Sequence, residues 1–215
     1  EKIPTFIFVS RIVKMKGITR KKYLKIREEY GKCSSWAIWK EKGKERSNMD
    51  DLSVFDLKKN PKLLKNLKPN IILVGINVSK EIKEQEPFSN FHPLTSQHNS
   101  NDYKLRYALW KTRFWGAYMT DIIKERPEKD SKKLKVSEKE KEKNTRKFEE
   151  ELKFIGAKNP IIIAMGNYTK NILNKYLDKR LKKGLREVKH YSAWGNRGIN
   201  QEELKKEFEK IENRL

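Results

Sequence analysis

The chain has 215 residues, 36% hydrophobic and 37% charged, and its 51 Lys and Arg against 29 Asp and Glu leave a net charge of +22. That length suffices for one sizeable core, and five Trp, eight Tyr and nine Phe argue for a packed interior rather than disorder. A single cysteine, Cys33, excludes an intramolecular disulfide and a cysteine-based zinc site, and no apolar run approaches the ~20 residues of a membrane span.

Three histidines, His92, His98 and His190, leave little material for a metal cluster. The excess of positive charge points to a polyanion, with nucleic acid first. A lysine-rich composition of the kind an AT-rich genome encodes is the plainer explanation. No signal-peptide pattern opens the sequence. The expectation is a soluble, cytoplasmic monomer that needs no membrane, metal or small-molecule cofactor.

Residues 1–55 read as a basic N-terminal extension packed on the core. Within it Thr5–Val9 suggests a strand, and Thr19–Tyr30 a basic helix ended by Gly31. Ser34-Ser-Trp-Ala-Ile-Trp39 is an apolar patch whose Trp36 and Trp39 either fasten the extension to the core or contact DNA. A helix near Pro61–Leu67 precedes Pro69–Ser79, around which the chain is organised. Four consecutive apolar residues, Ile71 to Val74, describe a strand buried on both faces. Asn77 follows Gly75 where a parallel sheet opens its ligand crevice, although Asn is also a frequent turn residue.

The stretch 80–101 is polar, rich in turns and long for a connection. It contains Pro87-Phe-Ser-Asn-Phe-His-Pro93. Asp102–Thr112 has helical spacing, and Trp115–Lys124 reads as a second buried strand with one exception, Asp121. An isolated carboxylate there needs a partner or exposure. Residues 125–147 are almost entirely charged or polar and read as a mobile loop or a solvated helix start. An amphipathic segment, Phe148–Ile155, leads to a third strand, Pro160–Met165, which ends at Gly166-Asn167. A helix over Thr169–Leu181, a fourth strand over Leu185–His190 and a last helix over Gln201–Asn213 complete the chain. Alternating strands and helices predict an α/β fold, a three-layer α/β/α sandwich around a central, mainly parallel four-stranded sheet.

Each strand ends in polar or glycine-containing sequence: Gly75-Ile-Asn77, Thr120-Asp121, Gly166-Asn167 and His190-Tyr-Ser192. On these residues, over 56–215, the chain resembles the uracil-DNA glycosylase superfamily. Gly75-Ile76-Asn77 resembles the first motif, whose Asp or Asn positions the attacking water. Tyr118–Lys124 resembles the strand that ends in the base-reading Asn. His190-Tyr-Ser-Ala-Trp194 is similar to the second motif, usually His-Pro-Ser-Pro-Leu, in which His stabilises the departing base and the apolar residue wedges into the duplex.

The resemblance implies double-stranded DNA as partner and catalysis by Asn77 and His190. Phe91 or Phe88 would stack on the flipped base. Tyr191, Ser192, Trp194, Arg197 and Asn167 would contact DNA. No Lys is placed by a motif as a Schiff-base nucleophile, so simple hydrolysis to an abasic site is expected.

Two departures bear on the base. An ionised Asp121 in place of Asn has only acceptors for uracil O4, whereas cytosine offers an amino donor, and a protonated Asp121 donates to N3. Ser79, where many members carry a bulky Tyr, opens the pocket at C5. Together they imply a C5-modified cytosine, such as those of some phage DNAs, and a role in defence. The alternatives are a uracil repair glycosylase with Asp121 outside the pocket and a catalytically silent DNA-binding module, which Asn77 and Tyr191 keep open.

Overall fold

In a computed structural model, residues 17–40, 48–79, 85–93, 101–128, 134–193 and 198–215 are described. The proposed strand Thr5–Val9, His98, Trp194 and Arg197 lie outside them. The fold is α/β, with strands β1 (Ser34–Trp36), β2 (Lys68–Asn77), β3 (Ala117–Ile123), β4 (Ile161–Met165) and β5 (Leu185–Val188). The helices are α1 (Arg20–Glu29), α2 (Leu63–Asn66), α3 (Asp102–Leu109), α4 (Glu138–Ile155), α5 (Asn167–Tyr176), α6 (Lys179–Lys182) and α7 (Gln201–Glu212). A 3-10 turn covers Leu52–Phe55. No helix among these residues is long and apolar enough to cross a membrane.

The sheet has the order β1-β3-β2-β4-β5. β2 runs parallel to both β3 and β4, β4 runs parallel to β5, and β1 pairs antiparallel with β3. Among the described residues the sheet has five strands instead of the four expected. The addition comes from the segment read as an extension: Ser34, Ser35 and Trp36 pair with Thr120, Met119 and Tyr118. Residues of 17–55 therefore complete the sheet edge as well as packing on it. Trp36 and Trp39 are buried, and Trp36 meets Tyr118 edge-on at 5.0 Å, so the packing reading of the two tryptophans holds.

Side-chain alternation along β2 sorts two cores. Ile72, Val74 and Ile76 face a core built with Tyr23 and Ile26 of α1, Phe148 and Leu152 of α4, and Ile172 and Leu173 of α5. Ile71 and Leu73 face the other, with Leu105 and Leu109 of α3 and Leu204 and Phe208 of α7. Helices thus cover both faces, as a parallel sheet requires.

In the charged stretch 125–147 the second half is the solvated helix start rather than the loop, because α4 begins at Glu138. Ser137 and Glu140 form a reciprocal capping box, and Glu138–Lys141 and Glu142–Arg146 pair along the exposed side. Its inner face includes Asn144, Thr145 and Glu151, which is why the apolar periodicity is faint there. The expected helix 169–181 is two helices, broken at Leu177 and restarted by Asp178, whose side chain accepts from the Arg180 N–H.

Candidate active site at the carboxyl edge of the sheet

β2 lies between its successors β3 and β4, so the chain changes direction across the sheet there. In open α/β sheets the crevice at such a switch point, beyond the carboxyl ends of the strands, is where ligands bind. Alternation puts Leu73, Gly75 and Asn77 of β2 on the α3/α7 face, together with Met119 and Asp121 of β3 and Met165 of β4. Gly75 pairs with Asp121 in register, and a Cβ on Gly75 would lie 2.2 Å from Asp121 Oδ1. Glycine here lets a carboxyl lie flat against the neighbouring strand.

Asp121 is 4% exposed. Its partner is Asn90, whose Nδ2 donates to Oδ2 at 3.0 Å and also to the Cys33 carbonyl at 3.2 Å. Burial raises the Asp121 pKa to about 6, against the opposing pull of Asn90 and of the Lys124 charge. The group therefore changes protonation near neutral pH.

Behind it, fully buried Glu151 of α4 accepts from Tyr118 at 2.7 Å and Thr120 at 2.9 Å and pairs with Lys124 at 2.8 Å. Lys124 Nζ also donates to the Asp121 carbonyl, which ties the end of β3 to α4. Burial opposes the Lys124 charge most strongly, but Glu151, Cys33 and Asp121 together outweigh it and keep the pKa above the ordinary lysine value. A lysine so held is a cation in a structural network rather than a free amine.

His190 follows β5. Its Nδ1 accepts from the Ser192 N–H at 3.1 Å, and its ring stacks on Tyr191 at 4.8 Å. Burial lowers its pKa to about 4. With Nδ1 an acceptor, the neutral ring carries its proton on Nε2. Gly166 makes room for it: φ is +94°, and a Cβ there would come 3.2 Å from His190 Cβ. Tyr191 is buried and donates to Asp102 Oδ1 at 2.9 Å, so it braces His190 from α3 and is not open to the surface for DNA.

Asn77 is partly buried and donates from Nδ2 to the carbonyls of Val78, at 2.9 Å, and Glu128, at 2.8 Å. Both amide hydrogens are engaged, which leaves Oδ1 as its accepting atom. Ser79 is exposed one strand step beyond, Asn167 is exposed at the start of α5, and Ser192 is partly buried. Phe91 lies on the crevice side of the sheet, but it is 8% exposed and packed in the core that contains Met165 and Tyr191, so its ring is no more open to a flipped base than Tyr191 is to DNA. Phe88 is not on that side: it is fully buried on the other face against Tyr23 and Phe55. That packing removes it as a partner for a flipped base.

The residues that sequence reasoning missed are Asn90, Lys124, Glu151 and Asp102. Asn90 stands between the two phenylalanines that drew attention to its segment, and the need of Asp121 for a partner was the available signal. No family model matches this chain, and no curated protein or solved structure matches it either.

Proposed function

We propose that this protein is a monofunctional DNA glycosylase with a uracil-DNA glycosylase-like fold. It flips a C5-modified cytosine of phage DNA from the duplex and hydrolyses its N-glycosidic bond, leaving an abasic site. The observation that supports the reading is that Asn77 and Asp121 share one face at the carboxyl ends of adjacent strands, with a neutral His190 following β5 at the same edge of the sheet.

In the reaction the bond between C1′ and the pyrimidine N1 breaks and its electron pair moves onto the base, largely to O2. The Nε2–H of His190 donates to that oxygen as charge develops. A neutral imidazole suits this role, since it stabilises the anion while keeping its proton. Asn77 Oδ1 accepts from a water whose oxygen attacks C1′, and the proton released passes to the departing base. An amide is a weak base, so orientation is its contribution.

Asp121 reads the amino edge of the base, and Ser79 leaves space beside C5. Asn167 and Ser192, at the ends of β4 and β5, meet the DNA backbone, while Trp194 and Arg197, expected to contact it, lie outside the described residues. The +22 charge supplies the phosphate attraction.

The test is alkali cleavage of a duplex containing 5-hydroxymethylcytosine after incubation with the purified protein. Site-specific breaks are expected, with His190→Ala slower by about 10²–10³-fold. Absence of breaks together with steeply salt-dependent duplex binding would instead favour a silent binding module. The engagement of both Asn77 amide hydrogens is compatible with that second reading.

A further inference from the structure

Both carboxyl oxygens of Asp121 are held in place. Its Oδ1 lies against Gly75, in space that any larger residue would fill. Its Oδ2 accepts from Asn90. The Asn90 amide cannot be turned round, because both groups that its Nδ2 meets, Asp121 Oδ2 and the Cys33 carbonyl, are acceptors. Asn90 is itself buried, and flanking residues Phe88 and Phe91 have φ of +69° and +65°, unusual for aromatic side chains. Phe88 is pinned by its N–H to the Gly31 carbonyl at 2.6 Å and by Ser35 Oγ, which donates to its carbonyl at 2.8 Å. A strained segment so firmly anchored delivers one amide to one carboxyl.

A carboxylic acid can offer a donor and an acceptor in either order. A donor held on Oδ2 favours the form in which Oδ2 is the carbonyl oxygen and Oδ1 carries the hydrogen, since a carbonyl oxygen accepts better than a hydroxyl. Cytosine presents an acceptor at N3 beside an amino donor at N4, whereas uracil presents the reverse. Resting on the glycosylase reading above, we propose that Asn90 is a positioning residue. By donating to Oδ2 it keeps the acid hydrogen of Asp121 on Oδ1, so that Asp121 donates to N3 of a cytosine-type base and accepts from its N4 amino group.

The acid form is the one that reads the base, so release falls as pH rises through the Asp121 midpoint near 6. The groups that bear on that midpoint are Asn90, Lys124, Glu151 and Asp102, with Cys33 and Tyr191 also within electrostatic reach. Asn90 favours the ionised form, so its loss moves the midpoint upward.

The experiment compares wild type, Asn90→Ala and Asn90→Ser on duplexes containing 5-hydroxymethylcytosine or uracil, over pH 5–8, with melting temperatures recorded. If the alanine variant does not fold, the serine variant carries the comparison. The expected result is a fall of about tenfold in the ratio of 5-hydroxymethylcytosine to uracil release, the worth of one hydrogen bond to an ionisable group. An upward move of the pH midpoint is expected with it. A folded variant that keeps both the ratio and the midpoint overturns the proposal.

Release of neither base by the wild type overturns the glycosylase reading and with it the base assignment. The ¹³C carboxyl signal of Asp121 then decides what is left. A midpoint that rises in Asn90→Ala upholds the positioning, and an unchanged one removes it.

Discussion

Replacing Asp121 by Asn should make the protein more stable, and only at a pH where the aspartate is ionised. The carboxyl is 4% exposed, and its pKa stands at about 6 against an ordinary 3.8. At about 1.4 kcal/mol per tenfold change in proton affinity, ionisation of this one group costs the fold about 3 kcal/mol above its folded pKa. The direction follows from the order of the two values. Because the folded pKa is the higher, the native state holds the proton more tightly. The penalty is therefore absent below pH 3.8, accumulates between about 4 and 6, and is complete above 6.

The amide carries no such charge, and its oxygen can still accept from Asn90 Nδ2. The gain from Asp121→Asn therefore has a ceiling of about 3 kcal/mol at pH 8 and vanishes near pH 4. Urea denaturation of both proteins at pH 4, 5, 6 and 8 measures it. A difference that is the same at every pH, or a loss of stability at pH 8, would refute the view that burial of the Asp121 carboxyl opposes its ionisation.

Three further outcomes follow from the same geometry. Glu151→Ala leaves the partly buried Lys124 without its counter-ion, and Tyr118 and Thr120 without their acceptor, and should cost about 2–4 kcal/mol, while Glu151→Ala with Lys124→Met should recover part of that in chemical denaturation. His92, 3% exposed, lies against Trp39 and Phe55, and among the described residues its ring nitrogens meet only the backbone of Trp36 and Met49, without a well-formed hydrogen bond; burial lowers its pKa to about 3. It stays neutral in the fold while the unfolded chain takes up a proton below about 6.5. Stability is therefore lost as pH falls from 6.5 toward 3, and His92→Leu should reduce that acid sensitivity and gain about 1–3 kcal/mol at pH 7. Gly166→Ala strains a left-handed residue and presses on His190. It should cost about 1–3 kcal/mol and lower base release more than duplex binding, measured by single-turnover assay and titration.

The two central parallel strands were legible because Ile71–Val74 and Ile162–Met165 are buried on both faces and show it as unbroken apolar runs. β1 was not, because two of its three residues are serines turned into the protein, where Ser34 donates to the Tyr30 carbonyl and Ser35 to that of Phe88. α4 was half hidden for a related reason: Asn144, Thr145 and Glu151 occupy buried positions that periodicity reserves for hydrocarbon.

At the site, strand ends were readable from Gly75, Asn77, Asp121 and His190. What joins them is tertiary: Asn90 is 31 residues from Asp121, and Asp102 is 89 from Tyr191. Phe88 was misassigned because an aromatic in a polar loop looks available until the fold buries it.

The central claim is that this crevice removes a modified cytosine. Base release from uracil-containing DNA, unmodified DNA and phage DNA carrying modified cytosine, followed by alkali cleavage with His190→Ala as control, tests it most directly. The account predicts abasic sites in the modified DNA alone, and none with the variant. Release from uracil DNA alone would contradict the role given to Asp121, and release from none would contradict the glycosylase itself.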